Sequence, residues 1–265
     1  MSGKYLKNKK KKSTPVGVLL VIALLLVGGI IAGVVFLEKG GAGSEQPTEP
    51  AQAVQTEPVE ETSPTEEYNY PGSAEQSQDT NLMDLGEGLV ITKIANYTGL
   101  FMEDGTDEVV SGILMVEVEN TSDKDLQLAY VKLGWGEEEA VFQITNLPAG
   151  RKLVALERSR MAYRADMPDS AVVENAAFVD GFTMHEDKIE IVAMDGVINV
   201  VNISGEDLPG NIYVYYKNVA GGVFYGGITY RVPIEGGLKA DEIRQVMSKH
   251  YDAEGSEILM VSYGQ

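Results

Sequence analysis

Cysteine is absent from the 265-residue chain, tryptophan occurs once and histidine twice. Disulfides, thiolate metal sites, a lipid-modified cysteine and a cysteine nucleophile are all excluded at once. His185 and His250 stand 65 residues apart and neither belongs to a close ligand pair, so no metal or other cofactor is expected. Basic residues are also scarce, 21 against 40 acidic ones for a net charge of −19, and such a field repels nucleic acid and other polyanions. The chain has no G-x-S-x-G elbow, no P-loop and no H-E-x-x-H pair. Carboxylate pairs are too common in so acidic a chain for any one of them to mark a glycosidase. An enzyme is not expected.

What basic charge there is gathers at the start. "MSGKYLKNKKKKST" holds six lysines and no acid, and Val16 to Leu37 follows as 22 residues without a charge. That length spans a bilayer as a helix, whereas a cleaved signal peptide has an apolar region of only about 7–15 residues. The reading is a basic tail over residues 1–15 and an uncleaved transmembrane helix over 16–37, which makes the cytoplasmic membrane the first partner. Lysine-rich flanks stay on the cytoplasmic side, so the rest faces outward, with 15 basic against 40 acidic residues. An exported chain without disulfides fits a bacterium with one membrane. Gly29 and Gly33 form a GxxxG step through which two such helices could associate weakly.

Residues 38–80 hold five of the ten prolines, ten acids and one lysine. This composition cannot bury enough apolar surface to fold. It reads as a disordered acidic stalk, extended by proline and by charge repulsion, or as a plain linker with no reach requirement.

From Asn81 the texture changes to short alternating apolar runs: "LVITKIA", "ILMVEVEN", "LQLAYVKL", "AVFQIT", "KLVALE", "KIEIVAM", "VINVVN", "NIYVYYKN", "VFYGGITYRV" and "EILMVSY". Period two with turn chemistry between the runs predicts an all-β fold of antiparallel strands. "VENTSDKDL" at Val118 returns as "VNISGEDL" at Val201, an offset of 82 residues for the spacing Asn-x-Ser-x-x-Asp-Leu. The likeness extends to "FQITNLPAGRKLVALERSRMAY" against "YRVPIEGGLKADEIRQVMSKHY", which predicts a strand through Ile243, Val246 and Met247. Two tandem β-sandwich modules are therefore expected, residues 81–180 and 181–265, with "MPDSAVVENAAFVDG" as their boundary.

These motifs, a strand ending in "VEN" or "VVN", then "TSDKDL" or "ISGEDL", an aromatic strand and an "LPAG" loop, resemble the FxLYD-like and related immunoglobulin-like modules of Gram-positive surface proteins. The resemblance covers residues 110–163 and 188–263, although Phe-x-Leu-Tyr-Asp itself is missing and "NIYVYYKN" is the nearest stretch. It implies small immunoglobulin-like sandwiches on exported or membrane-anchored proteins, generally without an assigned activity.

The repeated motif reads as turn chemistry: Asn120 and Asn202 leave a strand, Ser122 and Ser204 bond nearby backbone, and Asp125 and Asp207 re-enter a strand. Asn96, Asn120 and Asn202 also form N-glycosylation sequons. The loop "MEDGTDEVV" carries Glu103, Asp104, Asp107 and Glu108, either a Ca²⁺ chelator or an acidic hairpin loop, and it lacks EF-hand spacing. Alternation in "NIYVYYKN" sets Ile212, Val214 and Tyr216 on one face and Tyr213 and Tyr215 on the other. Tyr213, Tyr215 and Tyr225 are the candidate binding residues for a sugar or peptide, with packing between modules as the competing role.

The functional expectation is a non-catalytic, membrane-anchored extracellular binding or spacer protein of the bacterial envelope, acting on an envelope glycan or protein. The alternative is an accessory or sensory subunit of another membrane protein, associating through the transmembrane helix. An envelope hydrolase ranks below both.

Overall fold

The computed structural model describes residues 83–106 and 108–264. The expected tail, the transmembrane helix from Val16 to Leu37 with Gly29 and Gly33, and the stalk all lie outside the described residues. Among the described residues the chain is all β, and no helix is long and apolar enough to cross a membrane. The strands are β1 (Met83–Gly86), β2 (Leu89–Leu100), β3 (Val109–Asn120), β4 (Asp125–Trp135), β5 (Glu138–Leu147), β6 (Lys152–Leu156) and β7 (Ser170–Val179). They continue as β8 (Ile189–Met194), β9 (Val197–Asn202), β10 (Ile212–Ala220), β11 (Val223–Ile234), β12 (Ile243–Met247) and β13 (Ser256–Tyr263).

Alternation decides most of them. In β4, Ala129, Val131, Leu133 and Trp135 are buried at every second position while Tyr130, Lys132 and Gly134 between them are half-buried. Each large apolar side chain so buried stabilises the fold by roughly 1.5–3 kcal/mol.

The strands form three sheets: a seven-stranded one ordered β1-β2-β3-β6-β11-β10-β13, and two three-stranded ones ordered β5-β4-β7 and β12-β9-β8. The pairings repeat. In the first half β2-β3-β6 faces β5-β4-β7; in the second, β8-β9-β12 takes the place of the former and β11-β10-β13 that of the latter. Leu89 pairs with Asn120 as Ile189 pairs with Asn202. Each half is therefore sandwich-like, with its own core. Val116, Val131, Phe142 and Leu153 belong to the first core, and Ile198, Val214, Tyr216 and Val261 to the second.

The chain does not stop at residue 180 as a structural body. β6, the edge of one sheet of the first half, pairs in parallel with β11, the edge of one sheet of the second, through Lys152↔Val223, Leu153↔Phe224 and Val154↔Tyr225. Two sheets thereby become one. The side chains of β10 divide between the cores: Val219 packs against the first, whereas Ile212, Val214 and Tyr216 enter the second. Odd and even positions of a strand point to opposite faces, so the two cores lie on opposite sides of the shared sheet.

"MPDSAVVENAAFVDG", near which the sequence divides the chain, contains a strand that its alternating runs did not reveal, β7, which belongs to the first half. Ser170–Val179 pairs along the whole of β4, from Gly134↔Ser170 to Asp125↔Val179. The pairing slips between Leu128 and Tyr130, where Asn175 takes φ 55°. That bulge breaks the period of two, and an edge strand rich in alanine shows little amphipathic contrast.

Candidate functional site

The repeated asparagines build scaffold. Asn120 is fully buried; its Nδ2 donates to Lys124 O (2.8 Å) and Leu147 O (3.0 Å), and its Oδ1 accepts from Ser122 N (3.1 Å) and Oγ (2.7 Å). Asn202 repeats this: Nδ2 donates to Glu206 O (2.6 Å) and Lys239 O (2.9 Å), and Oδ1 accepts from Ser204 N (3.0 Å) and Oγ (2.7 Å). Asp125 accepts from Ala149 N (2.9 Å), and Asp207 from Ala240 N (3.0 Å). Each motif thus ties the turn after one strand to a loop of the facing sheet. Even the left-handed backbone conformation corresponds, since Gly150 at φ 70° is matched by Asp241 at φ 59°. With both amides buried and bonded, the sequon reading of Asn120 and Asn202 does not fit the folded chain.

The three tyrosines do not form one patch. Tyr213 and Tyr215 are half-buried, their ring centroids lie 6.4 Å apart, and the Arg231 guanidinium stands 4.9 Å over Tyr213. Tyr225 packs with Tyr97, Val154 and Leu156 in a third cluster, on the opposite face of the shared sheet. The reason is a bulge: β10 and β11 pair as Tyr216↔Tyr230 and then Asn218↔Tyr225, so Gly226–Thr229 loop out against Lys217 alone. A run of extra residues inverts which side chains face the core.

That bulge is the most specialised place in the molecule. Lys217 is fully buried, and its Nζ donates to the carbonyls of Gly226 (2.9 Å), Gly227 (2.9 Å) and Ile228 (3.0 Å). Amides of the same segment go elsewhere: Glu103 accepts from Gly227 N (2.8 Å) and Ile228 N (3.2 Å), and also from Leu156 N (2.9 Å). One loop from the second half thus holds a carboxylate of the first and an ammonium of its own. Burial acts against both charges, lowering Lys217 to about 7 against the pull of Glu103 and raising Glu103 against its three backbone donors and Lys217. Three carbonyl acceptors fit an ammonium, because a neutral amine has only two N–H groups.

Only glycine permits this packing. A Cβ on Gly227 would stand 2.1 Å from Gln143 O, and Gly226 has φ 90°. Thr145 and Thr229 close the contact on the β5 side, with Thr229 N donating to Thr145 Oγ1 at 2.8 Å and Thr229 Oγ1 donating to Thr145 O at 3.0 Å.

Beside the joint lies a cleft of about 280 Å³, walled by Leu100 and Met102 of the first half and by Asp195, Asn218, His250 and Asp252 of the second. Tyr230 also lines it, stacked between Tyr216 (5.0 Å) and His250 (4.9 Å). Its two carboxylates hold loops in place: Asp195 accepts from Ala253 N (2.8 Å), and Asp252 from Glu254 N (2.9 Å) and Gly255 N (2.6 Å). The cleft is thus lined by rings together with carboxylates already engaged by loop amides. In the acidic loop Glu103 is committed to the joint, and Asp104 to Thr106 and Arg160. His185 rests edge-on against Tyr263 at 4.7 Å. Comparison with protein-family models, with curated proteins and with solved structures found no match.

Sequence reasoning named Glu103 only as a member of the acidic loop, and it missed Lys217 and the Tyr216–Tyr230–His250 stack. The available signal was "YGGI" inside a strand pattern, since paired glycines there mark a bulge or a close approach of another backbone.

Proposed function

We propose that this chain is a non-catalytic, membrane-anchored binding or spacer protein of a bacterial envelope, its lysine-rich end cytoplasmic and its β-sheet body outside. The observation that carries the reading is the joint. The most unusual groups in the body, Lys217, Glu103 and the Gly226–Gly227 step, are spent on fixing one half against the other. A body so fixed suits presentation of a surface at a set geometry, and the cleft beside the joint gives that surface a concave place. Six lysines before Val16, the 22 uncharged residues to Leu37 and the acidic segment after them support the anchorage. The resemblance to immunoglobulin-like surface modules, with the repeated six-strand pairing, supports the same assignment for each half.

The test has two parts. Protease added to intact cells should release the body by cutting within residues 38–80, leaving the lysine-rich end protected. Isolated envelope material should then retain the chain, with retention reduced by Tyr213→Ala and Tyr215→Ala if that face takes part. A protected stalk with an accessible lysine-rich end overturns the topology, and absence of retention overturns the binding role.

A further inference from the structure

Each half of the body has a side on which an edge of one sheet meets an edge of the other. In the first half these edges are β5 and β6, and the arm of the β10–β11 hairpin closes the side. Val223–Tyr225 run parallel to Lys152–Val154, and Gly227 sits against Gln143 of β5 and Ala155 of β6.

In the second half the corresponding edges are β11 and β12. Asn202 N donates to Glu242 O (3.0 Å) as Asn120 N donates to Arg151 O (3.0 Å), so Ile243–Met247 occupy the place of Lys152–Leu156. Here the side is open. Among the described residues β12 pairs only with β9, and Met247 is 76% exposed. Because Glu242 faces β9, alternation turns the main-chain groups of Ile243, Gln245 and Met247 outward.

A groove of about 280 Å³ lies between these edges, lined by Tyr230, Arg231 and Val232 on one side and Met247, Lys249 and His250 on the other. No acidic residue lines it, in a chain with 40 acids against 21 basic residues. Pro233 on the β11 wall supplies no N–H, which leaves β12 as the edge able to extend a ladder.

We infer that this groove takes an extended acidic polypeptide strand, which adds in parallel to β12 as the β11 arm adds to β6. Main-chain hydrogen bonds to the outward groups of β12 hold the strand, the apolar lining takes its alternate side chains, and the basic lining selects acidic ones. At contact distance this local lining decides, since the acidic remainder of the surface is screened within about 8 Å at physiological salt. The inference names a ligand class for the binding role proposed above and rests on that role, although not on the membrane topology.

The experiment titrates the full chain, solubilised in detergent, with a labelled peptide of about a dozen residues carrying Val-Phe-Glu-Gly-Gly-Ile between glutamates. Parallel arms use the same peptide with lysine for glutamate, and polyphosphate of matched charge. The acidic peptide should bind and slow amide exchange at residues 243–247. Gln245→Pro, which removes an outward N–H while leaving the β9 pairing intact, should weaken it roughly tenfold. Arg231→Glu with Lys249→Glu should do likewise and reverse the preference toward the lysine peptide. Should Gln245→Pro fail to fold, Met247→Glu provides the same block by charge at the same edge. Equal binding of both peptides, binding of neither, or binding of polyphosphate unaffected by Gln245→Pro overturns strand addition. If envelope material still retains the Gln245→Pro chain while no peptide binds, only this inference falls; if it retains no form of the chain, the binding role itself falls.

Discussion

Replacing Glu103 by glutamine changes one oxygen of a buried carboxylate to an N–H donor and removes its charge, with almost no change of shape. In the native joint one carboxylate oxygen accepts from Leu156 N and Gly227 N and the other from Ile228 N. Glutamine can keep the first pair. Its amide then faces the Ile228 N–H, donor against donor, and a buried unsatisfied donor costs about 1–3 kcal/mol. Lys217 also loses the negative charge beside it, and breaking a buried pair costs about 3–5 kcal/mol where no other group compensates. Here three carbonyls do compensate in part, so a net loss of about 3 kcal/mol is expected, or roughly 6–12 °C in Tm for a body of this size. Lys217→Met should cost at least as much, since it strands the carbonyls of Gly226, Gly227 and Ile228. Replacing both does not restore the parent, because the Ile228 N–H and the three carbonyls that Lys217 held remain unmet. The double variant should nevertheless fall short of the sum of the singles by about 1–3 kcal/mol, the signature of groups sharing one loop. Urea unfolding of the full chain, followed by fluorescence, measures all three. Single variants within about 0.5 kcal/mol of the parent, or strict additivity, would refute the joint as the point where the halves are fixed.

Gly227→Ala should cost more than about 3 kcal/mol, because the new Cβ meets a backbone oxygen at 2.1 Å, whereas Gly222→Ala should cost only about 1 kcal/mol for its φ of 82° with open space around it; thermal melts of the two decide. Asn120→Ala and Asn202→Ala should each lose about 2–4 kcal/mol, and by similar amounts, since each abandons equivalent buried partners; a large loss at one site and none at the other would contradict their equivalence. Burial lowers Lys217 from 10.5 to about 7, so within that window the unfolded chain binds a proton the folded chain lacks and stability rises with pH. Glu103 is raised, so just above 4.5 the folded chain binds the extra proton and stability falls as pH rises. Subtracting the urea-unfolding pH profiles of Lys217→Met and Glu103→Gln from that of the parent should isolate the two opposite slopes.

Most strand positions and the double Asn-x-Ser-x-x-Asp-Leu turn were legible because they rest on local chemistry, alternation or a side chain bonding backbone two residues away, whereas the strand at Ile243–Met247, whose local spacing also suits a helical face, was legible only through the internal repeat. β7 was not, since "SAVVENAAFV" carries small and polar residues at an edge and slips register at Asn175. The joint was invisible for a different reason. Glu103 is one acid in an acidic loop until a contact across 124 residues of sequence brings it to Gly227, and Lys217 is one lysine in an aromatic strand until the bulge of its own hairpin folds three carbonyls onto it. Tyr225 was misplaced by the same bulge. Alternation counted through "VFYGGITY" holds only if the glycines are regular strand, and they are not.

Trp135 is the single tryptophan and lies buried in the first core, while Tyr216, Tyr230 and Tyr251 cluster in and beside the second. Tryptophan fluorescence therefore reports one half of the body and near-ultraviolet circular dichroism of the tyrosines largely the other. Followed together through urea unfolding of the full chain, the two signals should change at one midpoint, because β6 and β11 share a sheet and Glu103 and Lys217 grip one loop. Two separate midpoints, with Trp135 indifferent to the loss of the tyrosine signal, would show that the halves unfold independently and would contradict the joined body on which the proposed function rests.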